Sequence, residues 1–470
     1  MNFCRPISKI IFLFLIITLS FSLPILVLAS EIRMSQQDTK DNGNNPPSPL
    51  FNKGTIPLSP PLSKGDLGGF SKEKKNIKVK REGFTSSKIC RNCHSEIYKS
   101  WSNSMHAASI SDPVFEVSYL QAIKNKGENA RKFCLSCHSP TTRITGDYFL
   151  KSDISKEGIT CDFCHTITSV NLEKNLPEIT NQVSSIIRGP FGNVASPAHG
   201  IEQSDLHTKS ELCAGCHELK GENGVSILST YSEWKESPYM KEGIQCQNCH
   251  MPELFNVPDV NPEVKVTKNF AKDHAVLGGH SQIKISKAAT VSTQVKLKNS
   301  KVIVKTSVNN RESGHKIPTG TPARKIILEV SLADKNGKIL ATQSRTYQKV
   351  MVDDSGNILT ESTDIFLKSA RVLSDNRIAP KEVRKEQFEF PLPAGLIDFR
   401  VESTLKYVFQ TPVISLQNMQ VEMAKDVYVN DKGGFAEERV PSNIYVIIVA
   451  FVAGMFLTYL GYRIYEKYRR

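Results

Sequence analysis

The chain of 470 residues has almost no cysteine to spare: of eleven, one stands at Cys4 and ten fall into five pairs of one spacing. That order is not the composition of a disulfide-dense mini-protein, and 39% hydrophobic with 23% charged residues excludes a disordered or collagen-like chain. Aliphatic runs are few between positions 90 and 250, and tryptophan occurs only at Trp101 and Trp234. Net positive charge is nearly missing from the body as well. Of a formal +13, the run 72–81 carries +5, the last eight residues +3, and Arg5 with Lys9 +2. Nucleic-acid binders concentrate charge on a folded face, so that class of partner is set aside. At about 150 residues per domain, the length allows roughly three domains.

The two ends read as targeting segments. Arg5 and Lys9 precede an apolar stretch from Ile10 to Leu28 that ends in Val27-Leu28-Ala29, the pattern of a signal peptide over 1–29. An uncleaved anchor is the alternative, and either way the chain is exported. Residues 444–462 hold no charge and are followed by Arg463, Lys467, Arg469 and Arg470, which predicts one membrane span with a cytoplasmic tail. The stretch 30–83, rich in Pro, Ser, Gly, Asn and Lys, reads as a disordered spacer.

The ten paired cysteines decide the class, because every Cys-x-x-Cys is followed at once by His. The five sets are Cys90/Cys93/His94, Cys134/Cys137/His138, Cys161/Cys164/His165, Cys213/Cys216/His217 and Cys246/Cys249/His250. This is the attachment signal of c-type haem. Two thiols three positions apart add across the vinyl groups of one porphyrin, and the adjoining His becomes the proximal ligand of its iron. Zinc needs four ligands per site and gives no reason for a His after each pair. Disulfides are allowed outside the cytoplasm but do not explain it either. The expected cofactors are five covalently attached haem c groups, with the ten cysteines as attachment points.

Internal repeats point to a duplicated module. Lys156-Glu157-Gly158-Ile159-x-Cys161 recurs as Lys241-Glu242-Gly243-Ile244-x-Cys246, and Tyr98-x-x-Trp101-x-x-Ser104 recurs as Tyr231-x-x-Trp234-x-x-Ser237. Spacing of three predicts each trio on one helix face. Five haems within Cys90–His250 must lie close together and supply much of the apolar core, an arrangement suited to electron hopping.

Six further histidines are candidate distal ligands: His106, His199, His207, His274, His280 and His315. The count permits every iron to be bis-His with one His over; it also permits one open iron. These residues resemble those of exported multihaem cytochromes of the cytochrome c-554 and hydroxylamine oxidoreductase group. The resemblance rests on the five motifs, the Tyr-x-x-Trp run ending at His106-Ala107, the two Gly-Ile-x-Cys copies and Gly314-His315-Lys316-Ile317-Pro318-Thr319-Gly320, and it covers about residues 84–325. It implies stacked haem pairs, mostly bis-His iron and periplasmic electron transfer, with some members acting on nitrogen compounds.

Beyond Ser286 the texture changes to alternation. Val291–Leu297 and Val302–Val308 predict a hairpin around Lys298-Asn299-Ser300; Ile326, Leu328, Val330 and Leu332 predict a strand before the Asn336-Gly337 turn. The expected fold class is α+β: a mainly helical and irregular pentahaem domain over 84–285, an immunoglobulin-like β-sandwich over 286–430, a juxtamembrane linker over 431–443, a transmembrane helix over 444–462 and a tail over 463–470. The sandwich carries no catalytic constellation; it reads as a scaffold, as a donor of His315, or as a docking module. The functional expectation is a membrane-anchored carrier on the periplasmic side of the inner membrane. Its partners would be redox proteins: quinol oxidoreductase or cytochrome donors and terminal reductase acceptors. The alternative is an oxidoreductase for nitrogen or sulfur compounds at one open haem.

Overall fold

A computed structural model describes residues 83–192, 194–255, 270–409 and 420–431. The expected signal peptide, spacer, juxtamembrane linker, membrane span and tail fall outside these residues, apart from Gly83 and Asp431.

Among the described residues no helix is long and apolar enough to cross a membrane. The longest, Pro113–His138, breaks at Gly127 (φ 59°, ψ −137°) and carries Glu116, Lys124, Lys126, Glu128, Arg131 and Lys132, which a bilayer core does not accept. This corrects the expected fold class and localisation: the described architecture is helix and sheet, and the C-terminal transmembrane helix and single membrane anchor are not part of it.

Four of the five attachment motifs sit on short helices. Cys90 closes Ser87–Cys90, His138 closes Pro113–His138, and the other three motifs lie in Cys161–His165, Glu211–His217 and Cys246–His250. Such short helices need side-chain caps to satisfy their first N–H groups. Thr160 accepts from the Phe163 N–H at 3.1 Å, and Gln245 with Asn248 forms a capping box. Asp112 caps the long helix by accepting from Phe115 at 2.8 Å, with Pro113 at its first position.

The duplication predicted from the sequence is visible in the contacts. Trp101 donates its indole N–H to the Ile159 carbonyl at 2.9 Å, and Trp234 donates to the Ile244 carbonyl at 2.7 Å. Both Tyr–Trp pairs have ring centroids 5.6 Å apart. Each Gly-Ile glycine has a positive φ, 70° at Gly158 and 74° at Gly243, a backbone that glycine adopts without strain. At Gly158 a β-carbon would stand 2.6 Å from the His106 carbonyl oxygen. Ser104 and Ser237 lie past the ends of the helices Ser95–Ser102 and Thr230–Lys235, so the predicted helical trios are helix-plus-turn units. Both serines are nonetheless buried.

Four two-stranded ribbons connect these helices: β1 (Ile167–Asn171) with β2 (Glu178–Asn181), β3 (Ile186–Gly189) with β4 (Gly200–Gln203), β5 (Glu218–Lys220) with β6 (Ser226–Ser229), and β7 (Glu253–Phe255) with β8 (Phe270–Lys272). The main apolar cluster lies beyond them, between two antiparallel sheets. One sheet orders β15 (Val383–Pro391), β10 (Lys301–Asn310) and β9 (Ala289–Lys298). The other runs from β12 (Ile339–Val352) through β11 (Arg324–Asp334) and β16 (Phe399–Phe409) to β17 (Gln420–Asn430). Two short strands, β13 (Ile358–Leu359) and β14 (Arg371–Asp375), lie beside β12.

Val302, Val304 and Val308 of the first sheet meet Ile326, Leu328, Val330 and Val401 of the second in one buried cluster, a β-sandwich of the immunoglobulin-like kind. The β9–β10 hairpin pairs Val302 with Leu297 and Val304 with Val295 across an Asn299-Ser300 turn. Leu328 is fully buried between the sheets. Leu328→Ala is expected to cost about 2–5 kcal/mol, read as a lower urea midpoint by far-UV circular dichroism.

Candidate functional site

Burial strips protons from the histidines. It lowers His138, His250, His274 and His280 to about 4 and His217 to about 3, with neighbouring imidazoles adding to the effect at His217, His250 and His274. At neutral pH these rings are therefore uncharged, the form that binds a metal.

The fold brings four proximal histidines opposite four of the six distal candidates. Ring centroids are 6.4 Å apart for His94 and His199, 6.4 Å for His217 and His106, 6.3 Å for His165 and His274, and 6.4 Å for His250 and His315. At about 2 Å per metal–nitrogen bond, two imidazoles facing each other across one iron have centroids about 6 to 6.5 Å apart. The four spacings fit that requirement.

Hydrogen bonds orient five of these eight rings, and His138 with them. A metal-binding His typically donates its second ring N–H to a carbonyl, which fixes the tautomer and leaves the other nitrogen for the metal. His138 Nδ1 pairs with the Ser109 carbonyl at 2.9 Å, His165 with Arg188 at 2.5 Å and His250 with Leu277 at 2.7 Å. On the distal side His199 pairs with Gly200 at 3.0 Å, His274 with Lys272 at 2.7 Å and His315 with Lys316 at 3.0 Å. In all six Nε2 is left for the iron.

His207 is oriented the other way. Its Nε2 is 3.0 Å from the Cys164 carbonyl while its Nδ1 is buried without a partner. The ring stacks 5.5 Å from His165, but His274 is the one with a free Nε2 there. His280 lies against Phe409, ring centroids 6.5 Å apart. His138 has the ligand-type Nδ1 hydrogen bond and Phe115 stacked on it at 3.8 Å. None of the six distal candidates is paired with it.

The attachment cysteines approach one another between motifs. The Cys161 thiol lies beside that of Cys90, Cys137 beside Cys216, and Cys213 beside Cys246, each near enough to shift its neighbour's proton affinity. Ser87 accepts from the Cys161 N–H at 3.4 Å, and Ser210 accepts from the Cys246 N–H at 3.0 Å. Both serines stand three positions before the first cysteine of a motif, so each stitches two motifs together. The ten motif cysteines are free of disulfides. Around the same motifs Thr141 Oγ1, Arg143 Nη1 and Arg324 Nε are buried without partners. Orphaned polar atoms are costly, and they suit a large group with its own carboxylates.

Cys93 differs from the other attachment cysteines in its surroundings. It is exposed, whereas the other nine motif cysteines are partly buried. The cause is local. The helix Ser87–Cys90 stops at the first cysteine of the motif, and residues 91–93 form a turn in which the Cys93 N–H donates to the Cys90 carbonyl at 3.1 Å. Arg91, Asn92 and His94 are exposed beside it. In the Cys161 and Cys246 motifs, by contrast, one helix runs through both cysteines and the His.

Sequence reasoning missed the supports of these ligands. Arg188, whose carbonyl holds His165, is buried and donates to Glu202 at 3.1 Å from both Nε and Nη2. The His315 loop is clamped between the two halves of the chain. Arg377 and Glu233, 4% and 5% exposed, form an ion pair at 2.7 Å. Glu233 also accepts from Thr319 at 2.8 Å and Ser229 at 2.7 Å. Arg377 donates to the Pro318 carbonyl at 3.2 Å and pairs with Asp375 through two nitrogens. Backbone bonds link Ile317 to Ile378 in both directions, at 2.9 and 3.1 Å. The one sequence signal was an acid within Tyr231-x-Glu233-Trp234, on the buried side of a short helix.

A family model described as cytochrome c554 and c-prime matches residues 89–166. Among solved structures, a penta-heme cytochrome c552 from Thermochromatium tepidum is similar with a TM-score of 0.60 and 22% identity, over 73% of this chain and 98% of that one. A putative beta-galactosidase from Bacteroides fragilis is similar over 30% of this chain and 17% of that one at 12% identity. Its TM-score of 0.17 carries no argument. No curated protein matches the chain. The likeness to the cytochrome c552 is one of fold. Together with the family match and the attachment motifs, it makes the chain a multihaem c-type cytochrome. The protein therefore binds haem c, and its general role is electron transfer with redox partners.

Proposed function

We propose that the protein is a five-haem electron carrier in which four irons are held by histidine pairs and one by His138 alone. The ten cysteines Cys90 to Cys249 would attach the haems, nine from partly buried positions and Cys93 from the surface. His94 with His199, His217 with His106, His165 with His274 and His250 with His315 would hold four irons. The four ring separations of 6.3–6.4 Å carry this assignment. When bound, each haem supplies a one-electron centre whose potential the axial ligands and their hydrogen bonds adjust. Thiol contacts between Cys90 and Cys161, Cys137 and Cys216, and Cys213 and Cys246 bring attachment points together, which favours short electron hops. His207 and His280 serve no iron in this assignment.

The His138 site favours a second reading, an oxidoreductase acting on a small nitrogen or sulfur compound. Its support is the contrast between the ligand-type hydrogen bond to Ser109 and the missing partner histidine. Low-temperature EPR of the oxidised protein tests both readings. The expected result is four low-spin signals and one high-spin signal, with one haem per chain binding nitric oxide after reduction. Five low-spin signals and no nitric oxide uptake would give His138 a sixth ligand from the protein and remove the second reading.

A further inference from the structure

His280, singled out in the sequence but paired with no proximal histidine, lies in a pocket with a half-buried cation. Arg324 places Nη1 3.1 Å from the Thr319 carbonyl and its guanidinium 5.7 Å over the Phe409 ring. Its Nε is buried without a partner, and it forms no ion pair among the described residues. His280 packs on the same Phe409 ring and takes no hydrogen bond among the described residues. Tyr407 closes the pocket: a β-carbon on Gly279 would stand 2.8 Å from its hydroxyl and 3.6 Å from Arg324 Nη1. Glycine at 279 is what lets the loop lie on both groups.

A half-buried guanidinium with an idle N–H, a phenol and an unengaged imidazole make a set of donors that lacks an anion. Leaving such a cation unpaired is strongly unfavourable, and a bidentate carboxylate is its natural partner. The pocket's position names the carboxylate. Leu277, three residues before His280, accepts from His250, and Thr319, which anchors Arg324, follows His315 by four positions. The two segments that build the pocket thus carry the supports of both histidines assigned to the last haem.

We infer that Arg324, His280 and Tyr407 bind the propionates of the haem attached at Cys246 and Cys249. This rests on the pairing of His250 with His315 proposed above. It gives the sandwich a second hold on that haem, since Arg324 opens β11 and Tyr407 lies in β16.

The test uses the full-length haem-loaded protein grown with ¹³C-labelled haem propionates, in Arg324→Leu, Arg324→Lys, His280→Ala and Tyr407→Phe variants. Redox titration and redox-difference infrared spectra are recorded alongside EPR. Arg324→Leu is expected to lower the midpoint potential of one haem and shift one pair of labelled carboxylate bands, with Arg324→Lys restoring much of the potential. His280→Ala and Tyr407→Phe are expected to shift the same bands, with haem content and low-spin signals unchanged. Unmoved labelled bands in all four variants, with EPR intact, would overturn the propionate site while leaving the ligand pairs standing. A low-spin signal turned high-spin in His280→Ala would instead make His280 an axial ligand and overturn both.

Discussion

Replacing His315 by alanine is expected to convert one low-spin haem into a high-spin one, leaving the other low-spin signals in place. The ring faces His250 at the spacing of a shared iron, and its Nδ1 is tied to the Lys316 carbonyl. Alanine leaves nothing at that position to bind iron. The same loss of one low-spin haem is expected for His106→Ala, His199→Ala and His274→Ala. His207→Ala is the control: its Nε2 is engaged by the Cys164 carbonyl, so all low-spin signals are expected to remain. EPR of the oxidised variants, with haem content checked by absorbance, measures each. Loss of a low-spin signal in His207→Ala would transfer the His165 partnership from His274 to His207.

The second large effect is expected at the clamp behind His315. Removing one member of a buried ion pair leaves an uncompensated charge, which costs about 3–5 kcal/mol. Arg377→Met, which removes the partner of both Glu233 and Asp375, is expected to lower stability by that order in urea unfolding, and Glu233→Ala by somewhat less, because Asp375 still pairs with Arg377. Glu233→Ala also strips an acceptor from Thr319 and Ser229. Glu233→Gln, which keeps the hydrogen-bonding shape, is expected to lose less. Because the clamp positions the His315 loop, both large losses should come with high-spin character at one haem. A stability loss with unchanged EPR would separate the clamp from the ligand.

The clamp also has a pH signature. Burial works to raise the Asp375 carboxyl, but Arg377 and Lys316 more than offset it and hold the group well below the ordinary carboxylate range. Its folded-state value is thus below its unfolded one. The stabilisation is complete above about pH 5 and is lost only as the pH falls below the ordinary range near 4. Between neutrality and mild acid the clamp is expected to hold.

Haem attachment was legible in the sequence because it is local chemistry: two thiols and an imidazole must lie within five residues to reach one porphyrin. The sandwich strands were legible for a related reason, since one buried face forces apolar residues such as Val302 and Val304 into alternation. Ligand pairing was not legible. His94 meets His199, and His250 meets His315, across folds of the chain that no spacing rule encodes. The excess of candidates was separated only by orientation, as His274 and His207 show beside His165. Nor did the motif tell Cys93 from its nine counterparts, because exposure depends on what packs over a turn and not on the spacing within it. Charged supports such as Arg377 and Arg324 were hidden because an isolated arginine looks the same on a surface as under a sandwich. The terminal span was read from apolar length alone, and the described helices supply no such element.

The matched indole bonds bear on how the molecule assembles. Trp234 reaches a carbonyl 10 residues away, whereas Trp101 makes the equivalent bond across 58 residues. What fills the longer interval is the Pro113–His138 helix with its own attachment motif. Closing the larger loop costs about 1.5 kcal/mol more in chain entropy. The copy around Cys246 is therefore the cheaper to nucleate, and the copy around Cys161 must wait for its inserted cassette to fold back. The His138 unit is in this sense a guest within a repeat, lodged at a joint whose hydrogen bond survives the insertion.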